Sequence, residues 1–253
     1  MRLLVILIAL LPLLSGCSRA EDRAWERVQA AGTIRVGLDA AYPPFEFIDE
    51  TSGEIAGFDV DLTREIGRRL GLEVSFVNIT YDGLYDSLLI GSVDVLISAL
   101  VATPDMAGKA SFTVPYFNAG DHLVVPSGSP ADSMEDLEGL TLAVEYGSGG
   151  DVEARAWQRR LGDLSVERLA SPDEALAAVL EGRADAALVD GIAARLAVGQ
   201  HPELMIAAAV NDALFAAAVH PDSGVLLGEL NRVIEEMMAD GTIEGLIERW
   251  FGG

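Results

Sequence analysis

The sequence predicts an α/β protein made of two lobes, and two observations lead to this prediction. The first is a regular alternation of apolar strands with amphipathic helices, which is typical of a mainly parallel sheet flanked by helices. The second is that this alternation starts again after residue 140, so that two such sheets are expected. With 253 residues, of which 50% are hydrophobic, the chain is long enough to bury one large core or two modest ones.

The N-terminal segment has the layout of a secretory signal. Arg2 precedes an apolar run over residues 3–14, which is too short to span a bilayer. Two small residues then lead to Cys17, the only cysteine in the sequence, so no intramolecular disulfide can form. We predict a signal peptide over residues 1–16, followed over residues 17–31 by a lipidated cysteine and a tether. An ordinary signal with an incidental cysteine is the alternative.

The next part of the chain alternates strands with helices. The segment "TIRVGL" has the alternation of a strand and runs into a turn rich in proline and aromatic residues. "GFDVDLTREIGRRLGL" has apolar residues at helical spacing, two aspartates in its first turn, and Gly71 at its end. A strand "EVSFVNI", a short helix over residues 83–90 and a strand "VDVLISAL" follow. This half therefore predicts one parallel sheet.

The second half repeats the pattern. "LTLAVE" predicts a strand, and a Gly/Ser turn leads from it into an amphipathic helix. After the strand "LSVERLA", a helix begins with Ser171 as N-cap and Pro172 at its first position, and the strand "ADAALVD" follows. In both halves a helix ends at a glycine (Gly91, Gly182) and an aspartate follows three residues later. This match favours a duplicated architecture.

Two extended crossings are expected to join the lobes. They are "NAGDHLVVP", near residue 120, and "DALFAAAVHP", near residue 215, and a final long helix is expected to pack back on the first lobe. We therefore assign residues 32–119 plus 216–253 to lobe 1 and residues 120–215 to lobe 2. Ligands of open α/β sheets bind beyond the carboxyl ends of the strands, so we expect a binding site between the lobes.

The charge of the chain narrows the possible partners. The formal net charge is −23, which makes nucleic acid a poor partner for this surface. A cationic ligand and a generally acidic surface suited to a saline environment remain as explanations. Because the acidic residues are scattered along the sequence, the second explanation accounts for most of the charge, and the charge alone locates no site.

An ordered series of motifs resembles the extracytoplasmic solute-binding proteins of the polar amino-acid type. The motifs are "IRVGLDAAYPPFEF", "IAGFDVDLTREIGRRLG", "TYDGLYDSLLIGSVDVLIS", "TPDMAGKASFTVPYF", "LTLAVEYGSGG" and "MMADGTIEGLIERWF". The resemblance, to bacterial solute-binding protein family 3, covers about residues 32–251. It implies a two-lobed periplasmic-binding-protein fold of type 2 that closes on a small-molecule ligand by hinge motion.

The same resemblance implies partners and a location. The loaded protein of this family docks on an ABC permease in the cytoplasmic membrane. We expect a monomer in the periplasm or at the cell surface, held to the membrane by its lipid anchor, with no nucleic-acid partner, cofactor or metal. His122, His201 and His220 lack the spacing of metal ligands.

The resemblance also implies a set of ligand-binding residues. They are Asp39, Tyr42, Tyr81, Ser98, Ala99, Leu100, Thr103, Met106, Glu145, Ser148, Gly149 and Asp190. Within this set Asp190 matches the aspartate that receives the α-ammonium group of an amino acid. Structural roles remain as alternatives: Asp39 as a turn cap, Glu145 as a solvent-facing group, and Asp190 as part of a turn.

One position departs from the family pattern. Relatives place an arginine on the ligand's α-carboxylate, where bidentate pairing suits a planar anion, and here the matching residue is Met106. Lys109, the only lysine in the chain, lies one helical turn away and is an alternative partner for the carboxylate. With Asp190 retained, the hypothesis is a cationic or amine-bearing solute, an amino acid or a derivative, without a free carboxylate in the usual place.

Two other classes of function remain open at this point. The first is a lyase or dehydratase on the same fold, in which Glu145 or Asp190 acts as acid or base. The second is a periplasmic ligand sensor. The last predicted helix ends two residues before Gly253, so we expect a free-standing binding protein and not a domain fused to a signalling partner.

Overall fold

The computed structural model describes residues 23–106 and 108–252. Its α-helices are α1 (Ala24–Ala31), α2 (Phe58–Leu70), α3 (Leu84–Leu89), α4 (Gly149–Leu161), α5 (Pro172–Leu180), α6 (Gly191–Gln200), α7 (Gly224–Ala239) and α8 (Thr242–Phe251). Its strands are β1 (Thr33–Leu38), β2 (Ala41–Tyr42), β3 (Glu46–Ile48), β4 (Ile55–Ala56), β5 (Glu73–Asn78), β6 (Val95–Leu96), β7 (Ser111–Phe112), β8 (Phe117–Asn118), β9 (Asp121–Pro126), β10 (Thr141–Glu145), β11 (Ser165–Leu169), β12 (Ala186–Asp190), β13 (Leu204–Ala209), β14 (Leu214–Phe215) and β15 (Ala218–Val219). Short 3-10 segments lie at Tyr81–Gly83, Pro104–Met106 and Met134–Leu137.

The first sheet forms the centre of lobe 1. Its strand order is β5-β1-β6-β15-β7. Strand β1 pairs in parallel with β5 and β6, and β15 returns antiparallel between β6 and β7. Buried apolar side chains of α1, α2, α7 and α8 pack with this sheet into one core.

The second sheet forms the centre of lobe 2. Its order is β11-β10-β12-β9-β13, with β10 parallel to β11 and β12, and with β9 antiparallel to β12 and β13. Ala187 and Val189 pack with α5 and α6, whereas Ala186 and Leu188 pack with α4. Alternate residues of a strand point to opposite faces, so this sheet is covered by helices on both sides. The predicted two-lobed α/β fold is confirmed.

The two chain crossings meet in a cluster of aromatic rings. Strands β8 and β14 pair antiparallel, with Phe117 opposite Phe215. The ring of Phe45 lies 5.0 Å from that of Phe117 and 5.3 Å from that of Phe215, between ring centroids, and Phe251 lies 5.1 Å from Phe117. Edge-to-face contacts of this kind add to the free energy of simple apolar burial. The crossings are therefore anchored to the core of lobe 1.

The tether and the final helix need correction. The tether predicted as far as residue 31 is wrong for residues 24–31, which form α1; Ala24 and Val28, one turn apart, are buried in the lobe 1 core. The predicted signal peptide and Cys17 lie outside the described residues. The final helix is two helices, because Gly241 takes a left-handed conformation (φ 79°) between α7 and α8.

The strand predicted as "VDVLISAL" is also shorter than expected. Only Val95–Leu96 pair with their neighbours as β6. The chain leaves the extended conformation at Ala99, whose φ is 46°, and the Ala99 N–H bonds a carboxylate instead of a neighbouring strand. The predicted crossings likewise contribute strands to the sheets, since β9 and β15 each pair antiparallel within a lobe. Within residues 23–106 and 108–252, no helix has both the length and the apolar character needed to cross a bilayer.

Candidate ligand-binding site

A cavity of about 390 Å³ opens at the carboxyl ends of β1, β5 and β6 in lobe 1. Its lining residues are Asp39, Ala41, Tyr42, Glu46, Tyr81, Ser98, Ala99, Val101 and Phe215. The sequence predicts five of these as ligand contacts, namely Asp39, Tyr42, Tyr81, Ser98 and Ala99. The lobe 1 half of the predicted set is thus largely gathered around one cavity.

Hydrogen bonds link the three strand ends that form this cavity. The Asp39 carboxylate accepts a hydrogen bond from the Tyr81 backbone N–H (2.8 Å), and the Asp39 N–H donates to Ser98 Oγ (3.0 Å). Ser98 Oγ in turn donates to Glu46 Oε1 at 2.7 Å. Asp39 therefore holds the Tyr81 segment in place, in addition to facing the cavity.

Two buried carboxyl groups lie behind this cavity. Glu46 is 1% exposed and Asp59, on the first turn of α2, is 0% exposed. Asp59 Oδ2 accepts hydrogen bonds from the Ala99 N–H (2.7 Å) and from the Tyr116 hydroxyl (3.0 Å). Burial, and then the negative charge of Asp59, raises the pKa of Glu46 well above its usual range; burial raises the pKa of Asp59 as well.

A second cavity, of about 780 Å³, adjoins the first along Tyr42 and Phe215. Helices α5 and α6 of lobe 2 supply most of its wall, and Asp190 lines it. Asp190 Oδ1 accepts from the N–H groups of Ile192 and Ala193, each at 3.0 Å, so this aspartate is the N-cap of α6. Burial, and then the charges of Asp190 and Glu46, raises the pKa of Tyr42, which places this lobe 1 ring in the field of a lobe 2 carboxylate.

The predicted Glu145, Ser148 and Gly149 lie at the loop between β10 and α4, and they line neither cavity. Ser148 Oγ donates to the Glu145 carbonyl (2.8 Å) and accepts from the Asp151 N–H (3.2 Å), so it caps α4. Asp151 is 0% exposed and holds this loop through the Gly147 N–H at 3.1 Å.

Two arginines neutralise Asp151. Arg168 Nε donates to Asp151 Oδ1 at 2.7 Å, and Arg155 pairs with both oxygens of the same carboxylate. Burial alone would raise the pKa of Asp151, but hydrogen bonds from Arg155, Gly147 and Arg168 lower it to about 2. The lobe 2 loop is therefore held from behind by a fully ionised, paired carboxylate.

The remaining predicted residues lie away from both cavities. The side chain of Leu100 is fully buried in an apolar cluster of lobe 1 and lines neither cavity, so its contact with a ligand stays a prediction. Thr103 is exposed, and Met106 is half-buried at the end of the Pro104–Met106 segment. Lys109 is exposed, and its N–H donates to the Met106 carbonyl at 2.8 Å.

Asp121 is a candidate residue that sequence reasoning missed. It begins β9 opposite Asp190, and its Oδ2 accepts from Asn211 Nδ2 at 2.8 Å. The same oxygen lies 3.0 Å from where a Cβ on Gly149 would stand, so Asp121 adjoins the start of α4. Its position at the head of an apolar strand was the available signal. Glu46, Ala41, Val101 and Phe215 were missed as cavity residues too.

No group of three or more His, Cys, Asp or Glu side chains within residues 23–106 and 108–252 is arranged to hold a metal ion. Neither cavity is lined by an arginine or a lysine from these described residues, whereas Asp39 and Asp190 each face one of the cavities. The site is therefore acidic and aromatic at the point where the lobes meet.

Comparison with known proteins gives a family and several relatives. The model of the bacterial extracellular solute-binding proteins, family 3, matches residues 34–253. A probable amino-acid ABC transporter-binding protein of Haemophilus influenzae is 33% identical over 231 residues, covering 90% of this chain and 88% of the relative. The L-cystine-binding protein TcyJ of Escherichia coli is 30% identical over 262 residues, covering 98% of this chain and 93% of the relative.

Solved structures of similar proteins differ in how well they superpose. The L-cystine solute receptor of Neisseria gonorrhoeae, unliganded and open, is 26% identical with a TM-score of 0.78, covering 90% of this chain and 96% of that one. An ancestral arginine-binding protein bound to arginine is 34% identical, yet its TM-score is 0.52; the match covers 87% of this chain and 99% of that one. An ancestral cyclohexadienyl dehydratase is 26% identical with a TM-score of 0.78, with 89% and 95% covered.

Proposed function

This chain belongs to the bacterial extracellular solute-binding proteins of family 3, and from that premise we propose that it delivers a cationic, amine-bearing solute to an ABC importer. The family implies a small-molecule ligand and a permease partner. The more specific part of the proposal concerns the ligand, which we expect to lack a free α-carboxylate in the position that an ordinary amino acid would place it.

The charges around the two cavities support a cationic ligand. Asp39 faces the lobe 1 cavity and Asp190 lines the lobe 2 cavity, while no arginine or lysine of the described residues lines either one. The rings of Tyr42 and Tyr81, 45% and 56% exposed, offer π faces to a cation. The arginine in one similar structure fits this charge pattern at its guanidinium end.

The single observation that carries the ligand proposal is Met106. It occupies the position where the family resemblance places a carboxylate-binding arginine. Leaving a bound carboxylate without its partner costs on the order of 2–5 kcal/mol, which corresponds to about a hundredfold or more in affinity. A ligand without that carboxylate avoids this cost. Lys109 lies three residues further on and is the remaining candidate to bind a carboxylate.

Calorimetry with L-arginine and agmatine tests this proposal. The two compounds share the guanidinium group, and agmatine is arginine without its carboxylate. We expect the natural chain to bind agmatine at least tenfold more tightly than arginine. The Met106→Arg variant should strengthen arginine binding by about a hundredfold and leave agmatine binding unchanged or weaker.

A Lys109→Gln variant is the matched control for the second candidate cation. If Lys109 replaces the missing arginine, this change weakens arginine binding and spares agmatine. Tight binding of arginine that neither Lys109→Gln nor Met106→Arg alters would overturn the proposed role of Met106. A wider panel of amines, guanidino compounds and amino acids then identifies the preferred ligand class.

We further propose that the lobes close on the ligand about the paired crossings β8 and β14. The higher TM-score against an open, unliganded relative (0.78) than against an arginine-bound one (0.52) supports an open state in the absence of ligand. Small-angle scattering should show a smaller radius of gyration when the tightest ligand of the panel is added. No change in the radius at saturating ligand would contradict hinge closure.

Anchoring through Cys17 is part of the proposal. A signal-like segment ends directly before this cysteine, the only one in the sequence. Expressed in a bacterial host with lipoprotein processing, the natural chain should fractionate with membranes, and a Cys17→Ala variant should not. Mass spectrometry of the mature N-terminus separates lipidation of Cys17 from retention of an uncleaved signal.

An enzyme of the lyase or dehydratase type is the alternative class. One similar structure is an ancestral dehydratase, but the Haemophilus influenzae and Escherichia coli relatives, at 33% and 30% identity, are named as binding proteins. Mass spectrometry of a co-purifying ligand before and after incubation distinguishes the two. Loss of water or carbon dioxide from the ligand indicates an enzyme, and an unchanged ligand supports binding. A sensor role would instead leave uptake of the ligand unaffected when the gene is deleted.

A further inference from the structure

The buried carboxyl groups of Glu46 and Asp59 lie behind the lobe 1 cavity and have no basic partner among the described residues. Each has one oxygen bonded to ordinary donors: Glu46 Oε1 to the Ser98 hydroxyl, and Asp59 Oδ2 to the Ala99 N–H and the Tyr116 hydroxyl. The other two oxygens, Glu46 Oε2 and Asp59 Oδ1, are buried and have no donor among the described residues.

If Glu46 and Asp59 were both ionised, two negative charges would be buried near each other. Two of their oxygens, Glu46 Oε2 and Asp59 Oδ1, would have no hydrogen-bond donor in the described part of the chain. A buried acceptor without a donor costs about 1–3 kcal/mol, and a buried unpaired charge costs more. The two carboxyl groups bond consecutive residues of one strand end, Glu46 the Ser98 hydroxyl and Asp59 the Ala99 N–H, each at 2.7 Å, and the charge of Asp59 acts on Glu46. A single proton held by the pair removes one of the two charges and turns one of the unpartnered acceptors into a donor.

The groups that face this pair contribute no positive charge. Asp39 acts on Glu46 through its negative charge, and the Tyr116 hydroxyl donates to Asp59. The Tyr42 hydroxyl lies within the field of Glu46, and the pKa of both tyrosines is raised. No arginine, lysine or histidine of the described residues acts on either carboxyl group.

We propose that Glu46 and Asp59 share one proton at neutral pH, and that this proton-linked pair positions the strand end Ser98–Ala99 that lines the ligand cavity. Glu46 donates its proton to the Asp59 carboxylate and accepts from Ser98, which in turn accepts from the Asp39 N–H. Asp59 holds Ala99 in its left-handed conformation, at φ 46°. The pair therefore controls the shape of the cavity floor without contacting the ligand through a charged atom.

This inference does not rest on the proposed ligand, because it concerns the chain without one. Infrared spectroscopy of the full chain tests it directly. A protonated carboxylic acid has a carbonyl stretch that is separate from the carboxylate bands. We expect such a band at about pH 7, where ordinary aspartates and glutamates are ionised. This carboxylic-acid band should be absent from Glu46→Gln. It should remain in the control variant Asp151→Asn, which changes a buried carboxylate that is paired with arginines.

The stability of the chain provides a second measurement. The pKa of Glu46 is raised in the folded state from an ordinary value of 4.5, so the folded chain holds a proton that the unfolded chain releases. Stability from this proton is complete below the ordinary value and declines as the pH rises above it. Glutamine keeps both hydrogen bonds and carries no proton to lose. We therefore compare the melting temperatures of Glu46→Gln and the natural chain at each pH. The value for Glu46→Gln minus that for the natural chain should rise steadily between about pH 5 and about pH 9.

A third measurement separates positioning from mere packing. Glu46→Leu keeps apolar volume and removes both hydrogen bonds. In calorimetry with L-arginine and agmatine, it should weaken binding of whichever compound the natural chain binds by tenfold or more, and Glu46→Gln should restore it. The proposal is overturned if the natural chain lacks a carboxylic-acid band at neutral pH, or if the melting midpoints of Glu46→Gln and the natural chain change in parallel with pH. Should Glu46→Gln fail to fold, the titration of the band in the natural chain decides, since it must persist above neutral pH.

Discussion

In both lobes a buried carboxylate near the start of a helix holds a segment that follows a strand. In lobe 2, Asp151 on α4 holds the Gly147 N–H and is neutralised by Arg155 and Arg168. In lobe 1, Asp59 on α2 holds the Ala99 N–H and has no cation; its neighbour is a second carboxyl group, Glu46. The same structural task is thus achieved with ion pairs in one lobe and, we infer, with a proton in the other.

The two lobes differ in where positive charge lies relative to the cavities. The arginines of lobe 2 lie behind a loop that lines neither cavity, whereas the carboxyl pair of lobe 1 lies directly behind one. An arginine in place of the proton would put a positive charge beneath the cavity floor and repel a cationic ligand. The two lobes should also respond to pH in opposite directions, because one carboxylate has a lowered pKa and the other pair has raised values.

The largest effect is expected at the lobe 1 carboxylate. Asp59→Ala leaves the Ala99 N–H and the Tyr116 hydroxyl without an acceptor in a closed core, so the free energy of unfolding should fall by about 3–5 kcal/mol. Asp59→Asn keeps an acceptor oxygen and should cost about half as much. Chemical denaturation measures both. Equal losses for the two variants would show that the hydrogen bonds to Asp59 contribute little.

A smaller loss of stability is expected when an arginine that pairs with Asp151 in lobe 2 is removed. Arg168→Met leaves Asp151 buried with Arg155 as its remaining arginine, and should lower the free energy of unfolding by about 1–3 kcal/mol. Arg232→Met is the matched control, because Arg232 forms solvent-exposed pairs on α7 and should change stability by less than about 0.5 kcal/mol. If the two variants unfold at the same denaturant concentration, Asp151 does not depend on its arginines.

The contribution of Asp151 to stability should also depend on pH, on the acid side. The pKa of Asp151 is lowered to about 2 from 3.8, so its stabilising contribution is present above the ordinary value and is lost as the pH falls towards 2. Asparagine at this position does not titrate. The stability advantage of the natural chain over Asp151→Asn should therefore narrow by on the order of 1–2 kcal/mol as the solution is acidified. A constant advantage down to unfolding would contradict the lowered pKa.

The smallest effect concerns two helix caps of lobe 2. Ser148, which belongs to the predicted binding set, caps α4, and Ser171, which does not, caps α5, each through its side-chain oxygen. Replacing either serine with alanine should cost about 1 kcal/mol in unfolding free energy. We expect only Ser148→Ala to change ligand affinity as well, by a few fold in calorimetry. Unchanged affinity in both variants would remove Ser148 from the proposed binding set.

Local patterns were sufficient to predict most of the secondary structure. The bounds of β1 agree with its alternation, Gly71 ends α2 in a left-handed conformation, and Ser171 with Pro172 begins α5 as predicted. Each of these features depends on a few neighbouring residues, whose preferences are strong. The break at Gly241 was missed because apolar spacing continues across it into α8.

The site was harder to predict because its chemistry depends on residues far apart in sequence. Asp59 and Asp61 both look like acidic residues of a helix first turn, a favourable position for negative charge. In the structure Asp61 meets arginines near the surface, while Asp59 points into the core against Glu46. Nothing in the local sequence separates the two. Asp121, opposite Asp190 across a strand pair, escaped notice for the same reason.

The solitary lysine of the chain offers a single side chain for chemical labelling in lobe 1. Lys109 is exposed, and it lies three residues after Met106. No other side chain in the sequence carries a primary amine, so an amine-reactive fluorophore would attach to Lys109 and, where it is free, to the N-terminus. Its emission would report ligand capture in real time, on the unmodified sequence, without an engineered cysteine.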